Sequence, residues 1–304
     1  METLTKLSAF LLGLLMLLTA ISPAFALSGI ITTQEISLAS INGVNAESYN
    51  WAGYAVPAPS VTSVSGQFTV PTTTPPAPDP ATTYYASWWV GIDGLTDSTV
   101  EQTGIIAMSS DTTPTTYLPV FEFYPGPAYE IGSTIGGVFV PAPVEANDAI
   151  YASVTYTDIS RGFGFGSPSS FIGSPSSLFS SPSTAFIYPG NPCRSNGVFT
   201  LTITDITEHW TFSTSESDSS AERSSAEWIT ETPSVSGEYA SLADFNMVHF
   251  CSCYAVAANR LLTPSSFEAV KLTMISESTP PVIMAQASPS IFDSFSVMWA
   301  SAGP

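Results

Sequence analysis

The chain has 304 residues, of which only 10% are Asp, Glu, Lys or Arg, and 25 acids against six bases leave a formal charge of −19 at neutral pH. That charge repels phosphate backbones and anionic lipid, which argues against nucleic acid and membrane surfaces as partners. Near pH 3 most carboxyls carry protons, since Asp and Glu ordinarily titrate at about 3.9 and 4.3, so the chain escapes the cationic self-repulsion that unfolds many proteins in acid. An acidic working environment is the expectation.

Residues 1–26 read as a secretory signal peptide: Lys6, an apolar run over residues 7–21, and the small-residue exit Ala24-Phe25-Ala26. A membrane anchor is the competing reading, which Pro23 and the small-residue exit disfavour; later residues offer no spanning segment. The mature chain is expected to be secreted and extracellular. Residues 27–48 are expected to be a short pro-segment or a flexible lead-in.

From there short runs rich in Val, Ile, Thr, Tyr and Phe recur between Pro, Gly, Ser and Asp, with no helical apolar spacing. Strands are expected at 64–70, 84–92, 116–124, 149–156, 197–203, 208–213, 226–231, 247–250, 269–275 and 294–299. Residues 71–82 hold five prolines and read as a loop. Residues 160–192, crowded with Ser, Gly, Pro and Phe, read as a surface insertion, and the serine-rich stretch 213–225 as a polar loop. Ten strands without helices predict an all-β, two-sheet antiparallel sandwich of the concanavalin-like or jelly-roll type, forming one domain over 49–304.

Three cysteines occur, Cys193, Cys251 and Cys253. An exported chain permits a disulfide from Cys193 to either of the others, and their spacing does not suggest a metal site. His209 and His249 sit among aromatic residues and read as packed structural side chains. Signatures of the common nucleophiles and of phosphate loops are missing. What stands out instead is the pair of stretches Glu101-Gln102-Thr103-Gly104 and Ala226-Glu227-Trp228-Ile229-Thr230-Glu231. They offer a carboxamide, which does not titrate, and a carboxylate, which can stay ionised in acid where imidazole cannot serve as a base.

Together with Asn50-Trp51-Ala52-Gly53, Val64-Ser65-Gly66-Gln67-Phe68-Thr69-Val70-Pro71, Trp89-Val90-Gly91-Ile92-Asp93-Gly94, Phe121-Glu122-Phe123-Tyr124-Pro125, Leu242-Ala243-Asp244-Phe245 and Ser294-Phe295-Ser296-Val297-Met298-Trp299, these blocks resemble the glutamic peptidases, or eqolisins, in order and over residues 50–304. The resemblance implies a two-sheet sandwich and an acid endopeptidase that works without metal or cofactor. It implies Gln102 and Glu227 as the catalytic pair, Trp51, Trp89 and Tyr124 as substrate-gripping aromatics, and Asp93 and Glu122 as supporting acids. Extended or unfolded polypeptides would be the substrates of a monomeric enzyme. The chain departs from the pattern at Ile106 and Leu118, where the family carries aspartates, and at Val120, where it carries a tryptophan.

Two rival readings start from the same residues. Trp51, Trp89 and Tyr124 could form the stacking platform of a carbohydrate-binding module. A glycoside hydrolase would need two facing carboxyls such as Glu122 and Glu227; Glu231, four residues beyond Glu227 on one strand face, lies about 13 Å away and is too far to partner it.

Overall fold

The computed structural model describes residues 25–26, 31–159 and 197–303. The expected signal segment to residue 24, the expected insertion at 160–192 and Cys193 lie outside the described residues. Among the described residues there is no helix, and so none long and apolar enough to cross a membrane.

Two antiparallel sheets face each other. We number the principal strands β1 (Ile31–Thr32), β2 (Leu38–Asn42), β3 (Asn45–Ser48), β4 (Trp51–Pro57), β5 (Val61–Thr69), β6 (Tyr84–Ile92), β7 (Val100–Ser109), β8 (Thr116–Tyr124), β9 (Ala149–Asp158), β10 (Gly197–Asp205), β11 (Trp210–Glu216), β12 (Ser225–Glu231), β13 (Ser234–Val235), β14 (Met247–Ala257), β15 (Val270–Ile275), β16 (Ile283–Ala287) and β17 (Phe295–Trp299). The front sheet runs β3-β15-β4-β12-β6-β7-β8. The back sheet runs β16-β17-β14-β5-β9-β10-β11. Pairing of β15 with β16 joins the two at one edge, and β3 with β15 is a parallel pair in an otherwise antiparallel sandwich.

Between the sheets, alternate residues of both interleave: Val90, Trp88, Trp228 and Ile105 from the front, Phe68, Val154, Phe199, Leu201, Phe250 and Phe295 from the back. Phe250 and Phe295 stack with centroids 5.1 Å apart. Each such side chain contributes about 1.5–3 kcal/mol by leaving water, which makes this layer the source of most of the fold's stability.

Seven of the numbered strands were not among those expected: β1 to β4, β7, β13 and β16. Every residue of β12 and all but Met108 of β7 are buried. A sandwich sheet normally wets one face and so alternates; here the outer face of β7 and β12 is covered as well, and the polar-apolar alternation that identifies a strand is lost. The cover comes from residues 31–37, inside the stretch for which the sequence left pro-segment and flexible lead-in both open. Within it, β1 pairs with β13, while β2 and β3 form a hairpin whose second strand lies along β15.

Around Cys251, β14 carries a register shift, with Ser252 at φ 52°; Cys253 is buried and Cys251 half-buried, so the two do not share one face as regular alternation would require. His209 and His249 are exposed rather than packed: His209 sits in the turn between β10 and β11, and His249 on the outer face of β14 beside the Ser296 hydroxyl at 3.1 Å. Both belong to the back sheet, away from the front groove.

Candidate active site

Across the front sheet the register sets Ala55, Glu227, Gly91, Gln102 and Glu122 side by side on β4, β12, β6, β7 and β8. Directly opposed residues of antiparallel strands point to the same face. Glu227 and Gln102 therefore face one groove, with two strand spacings, about 10 Å, between their backbones. Gly91 stands between them and contributes no side chain. A Cβ there would lie 3.0 Å from the Trp89 ring and 3.2 Å from the Gln102 Cβ, so glycine keeps the space between the two side chains open.

Gln102 Nε2 donates to Glu122 Oε2 at 3.0 Å and to Thr33 Oγ1 at 2.5 Å, and the Thr33 hydroxyl in turn donates to Glu122. The Gln102 Oε1 atom, the Glu122 Oε1 atom and both carboxyl oxygens of Glu227 are buried without a protein partner. Unpartnered buried polar atoms are costly, and four of them converging on one groove mark a place prepared for something else to bind.

The carboxyls here are pushed toward their neutral forms. Burial raises Glu122 to about 8, against the opposing hydrogen bonds from Thr33 and Gln102. Burial also holds Glu227 well above the ordinary carboxylate range, reinforced by Asp93, Asp97 and Glu101 and opposed by the nearby Ser225 hydroxyl. Asp93 rises to about 7 through burial and the neighbouring Asp97. It accepts from the backbone amides of Arg223 at 2.8 Å and Ser224 at 2.5 Å, and its own amide donates to the Ser225 carbonyl. Asp93 thus pins the loop that delivers Glu227, at a φ of 74° that a bend straight after β6 requires.

Trp51 and Trp89 lie on the groove floor, edge to face with centroids 4.9 Å apart, and both are buried. Trp89 Nε1 donates to Glu231 Oε2 at 2.8 Å. Tyr124, half-buried, packs at the edge of the same cluster, its phenol raised to about 12 by burial and by Glu35. All seven residues expected from sequence are thus on or beside the groove. Two participants were missed: Glu231, on the Glu227 face of β12 as period-two alternation implies, and Thr33, to which no sequence signal pointed. Glu101 is the converse case; adjacent to Gln102, it turns to the opposite face and is buried with both oxygens unpartnered. Among the described residues no cluster of His, Cys, Asp and Glu could hold a metal ion.

Residues 49–165 and 193–297 match the model of the Peptidase A4 family. The chain belongs to the Peptidase A4 family. A curated relative, aspergillopepsin-2 of Aspergillus niger, is 32% identical over 142 residues, which is 40% of this chain and 50% of that protein; the chain thus matches about half the length of this curated relative. Scytalido-glutamic peptidase, solved with a peptide-based transition-state analogue, shares the fold with a TM-score of 0.57 at 20% identity, over 83% of this chain and 98% of that one. The eqolisin SCP-B, solved with the tripeptide Ala-Ile-His, aligns with a TM-score of 0.53 at 18% identity over the same shares. Membership of the Peptidase A4 family accords with the all-β sandwich and with the order of the motifs along the chain.

Proposed function

We propose that the chain is a secreted acid endopeptidase that hydrolyses peptide bonds in extended or unfolded polypeptides, with Glu227 and Gln102 as its catalytic pair. The observation that carries the reading is the cross-strand row Glu227-Gly91-Gln102, in which a carboxyl and a carboxamide face one groove across an open gap. Glu227, ionised, takes a proton from water as the water oxygen attacks the scissile carbonyl carbon. The oxyanion that forms accepts a hydrogen bond from the second Gln102 N–H, the first being fixed by Glu122. Glu227 then delivers the proton to the amide nitrogen and the C–N bond breaks.

As the groove stands, burial favours the protonated form of Glu227, so its ionisation in acid requires the groove to open to solvent. Asp93 carries a proton at pH 3, because burial and Asp97 place its titration near 7; neutral there, it no longer opposes ionisation of Glu227. Solvent entering the groove removes burial, the largest cause of the Glu227 shift. The relatives solved with a peptide-based analogue and a tripeptide support a peptide substrate. The A-x-A exit after an apolar run and the resemblance to a family of secreted acid enzymes support export.

Neither rival fits as well. Trp51 and Trp89 pack edge to face in a buried floor rather than presenting a flat platform. Glu122 stands three strands from Glu227, with Gln102 on an intervening strand donating to its carboxyl, so the two acids do not face each other across an open gap.

Digestion of a denatured protein at pH 2–4 with chelator present tests the proposal. It is run on the intact chain and on a Thr33→Val/Gln34→Pro variant, which lacks the Thr33 hydroxyl beside Gln102 and the Gln34 N–H that donates to Glu231. Cleavage is expected, and Glu227→Gln should reduce it to background; undiminished cleavage by Glu227→Gln would remove Glu227 from the mechanism.

A further inference from the structure

The groove floor changes character within a short distance of the Gln102–Glu122 hydrogen bond. Alternate residues of a strand share a face, so the side of β7 and β8 that carries Gln102 and Glu122 continues with Gly104 and Ile106 on one strand and with Val120 and Leu118 on the other. Ile106, Leu118 and Val120 are buried and pack as one apolar cluster, with Tyr85 and Met108 half-buried against it. Ser87, opposite Ile106 on β6, turns its hydroxyl away to the Glu231 carbonyl at 3.4 Å. A branched aliphatic side chain fits the cluster: Ile31 lies in it, 4% exposed. Two residues further on, the Thr33 hydroxyl meets Gln102 Nε2 and Glu122, and at Gln34 the main chain itself is held, its N–H donating to Glu231 Oε1 at 3.0 Å and its C=O accepting from Trp51 Nε1 at 3.0 Å.

We propose that Ile106, Leu118 and Val120 form a specificity subsite that selects substrates with Ile, Leu or Val at the third residue on the amino-terminal side of the cleaved bond. The inference rests on the reading of the groove as a peptide-cleaving site and adds which polypeptides it cuts. Three features carry it. The wall presents no charge and no free hydrogen-bonding group, so a polar side chain entering it loses its water without replacement, while an apolar one gains by burial. The socket encloses a side chain of four carbons almost completely, which sets its size. Its offset from Gln102 is two residues of extended chain, the separation of Ile31 from Thr33. An oxyanion bound at Gln102 belongs to the residue whose carbonyl is attacked, the last before the cleaved bond; the side chain two residues earlier is the third.

Main-chain contacts of the kind that Glu231 and Trp51 make hold an extended peptide whatever its sequence, so they fix register and leave selection to the socket. Ile106, Leu118 and Val120 are also the three positions at which the chain departs from the glutamic-peptidase pattern of two aspartates and a tryptophan, which makes the selectivity a property of this chain and not of its family. A hydrophobic pocket separates side chains that differ by one methylene by about 10–200-fold in kcat/KM. At least tenfold is therefore expected between Ile or Leu and Ser or Asn.

The test digests a mixture of denatured proteins at pH 3 with the intact chain and with the Thr33→Val/Gln34→Pro variant, and maps the cleaved bonds by mass spectrometry. Normalised to their abundance in the mixture, Ile, Leu and Val should be at least tenfold favoured over Ser and Asn at the third residue before the bond. Ile106→Asn, which puts a carboxamide into the wall, should cancel that preference. Leu118→Ala deepens the socket by a milder change, should shift the preference toward Phe, and keeps the test open if Ile106→Asn does not fold. Cleavage that Glu227→Gln abolishes but that shows no aliphatic preference at this residue, or one that both socket variants leave unchanged, overturns the subsite and leaves the catalytic reading standing. Cleavage by none of the chains overturns the catalytic reading and the subsite with it.

Discussion

Glu227 and Gln102, on strands that are not neighbours, face one groove with the single glycine of the intervening strand, Gly91, between them. The pair is assembled by register: β12 and β7 each pair with β6, so a shift of either by one residue would turn Glu227 or Gln102 to the opposite face.

Gln102→Ala removes the N–H donor and leaves the strand in place. Loss of one oxyanion donor typically lowers the rate by about 10²–10³. The acid digestion rate should fall by that factor relative to the parent chain while the thermal unfolding midpoint moves little. A rate within threefold of the parent would show that Gln102 does not touch the oxyanion.

Filling the gap should matter more to chemistry than to folding. In Gly91→Ala the new methyl meets the Trp89 ring at 3.0 Å and the Gln102 Cβ at 3.2 Å, contacts that neighbours relieve only by moving a few tenths of an ångström. Displacing the Gln102 carboxamide, proposed as the oxyanion donor, by that amount is expected to lower kcat at least tenfold, read in steady-state digestion of a fluorogenic peptide.

Gly104 is a different case, because its absent side chain is structural. A Cβ there would stand 2.1 Å from the Trp88 carbonyl oxygen and 2.5 Å from the Trp89 Cβ, and the backbone cannot yield. Gly104→Ala should destabilise the fold by about 3 kcal/mol or more, seen as a lowered midpoint in chemical denaturation.

Stability should fall as pH rises from acid to neutral. Asp93 and Glu122 titrate near 7 and 8 in the folded chain because of burial, above their unfolded values, so the folded state binds more protons than the unfolded one in that window. Their contribution is complete below about pH 4 and is lost as pH climbs through the folded values. Glu101, Glu227 and Glu231 are raised in the same direction, each chiefly by burial. The unfolding midpoint should be highest near pH 3 and drop between pH 4 and 8, and Glu122→Gln should flatten the upper part of that drop. A midpoint that climbs from pH 3 to pH 7 would contradict the assignment.

Much of this architecture is legible without coordinates. The runs around Phe68, Trp89, Phe121, Val154 and Trp228 read as strands because β-branched and aromatic residues alternate there or cluster between turn residues. The blocks around Gln102 and Glu227, taken with the others, carried the resemblance that pointed to the proposed pair. The strands holding Trp51 and Gln102 were not legible, because burial on both faces removes alternation and Gly53 and Gly104 interrupt them. The histidines misled for a related reason: an aromatic neighbour in sequence, Trp210 or Phe250, says nothing of which face the next side chain takes, and both His209 and His249 point outward.

By itself the sequence determined the all-β composition and the acid-tolerant charge balance, since these depend on side-chain chemistry and local periodicity alone, and its motif blocks pointed to the proposed pair. Only the tertiary structure decided that Gly91 separates Glu227 from Gln102, that Glu231 and Trp51 hold a main chain, and that Thr33 sits against the carboxamide. Those are contacts between residues far apart along the polymer, set by strand register and by where residues 31–37 are drawn when Ile31 finds an apolar socket, and no local pattern encodes them.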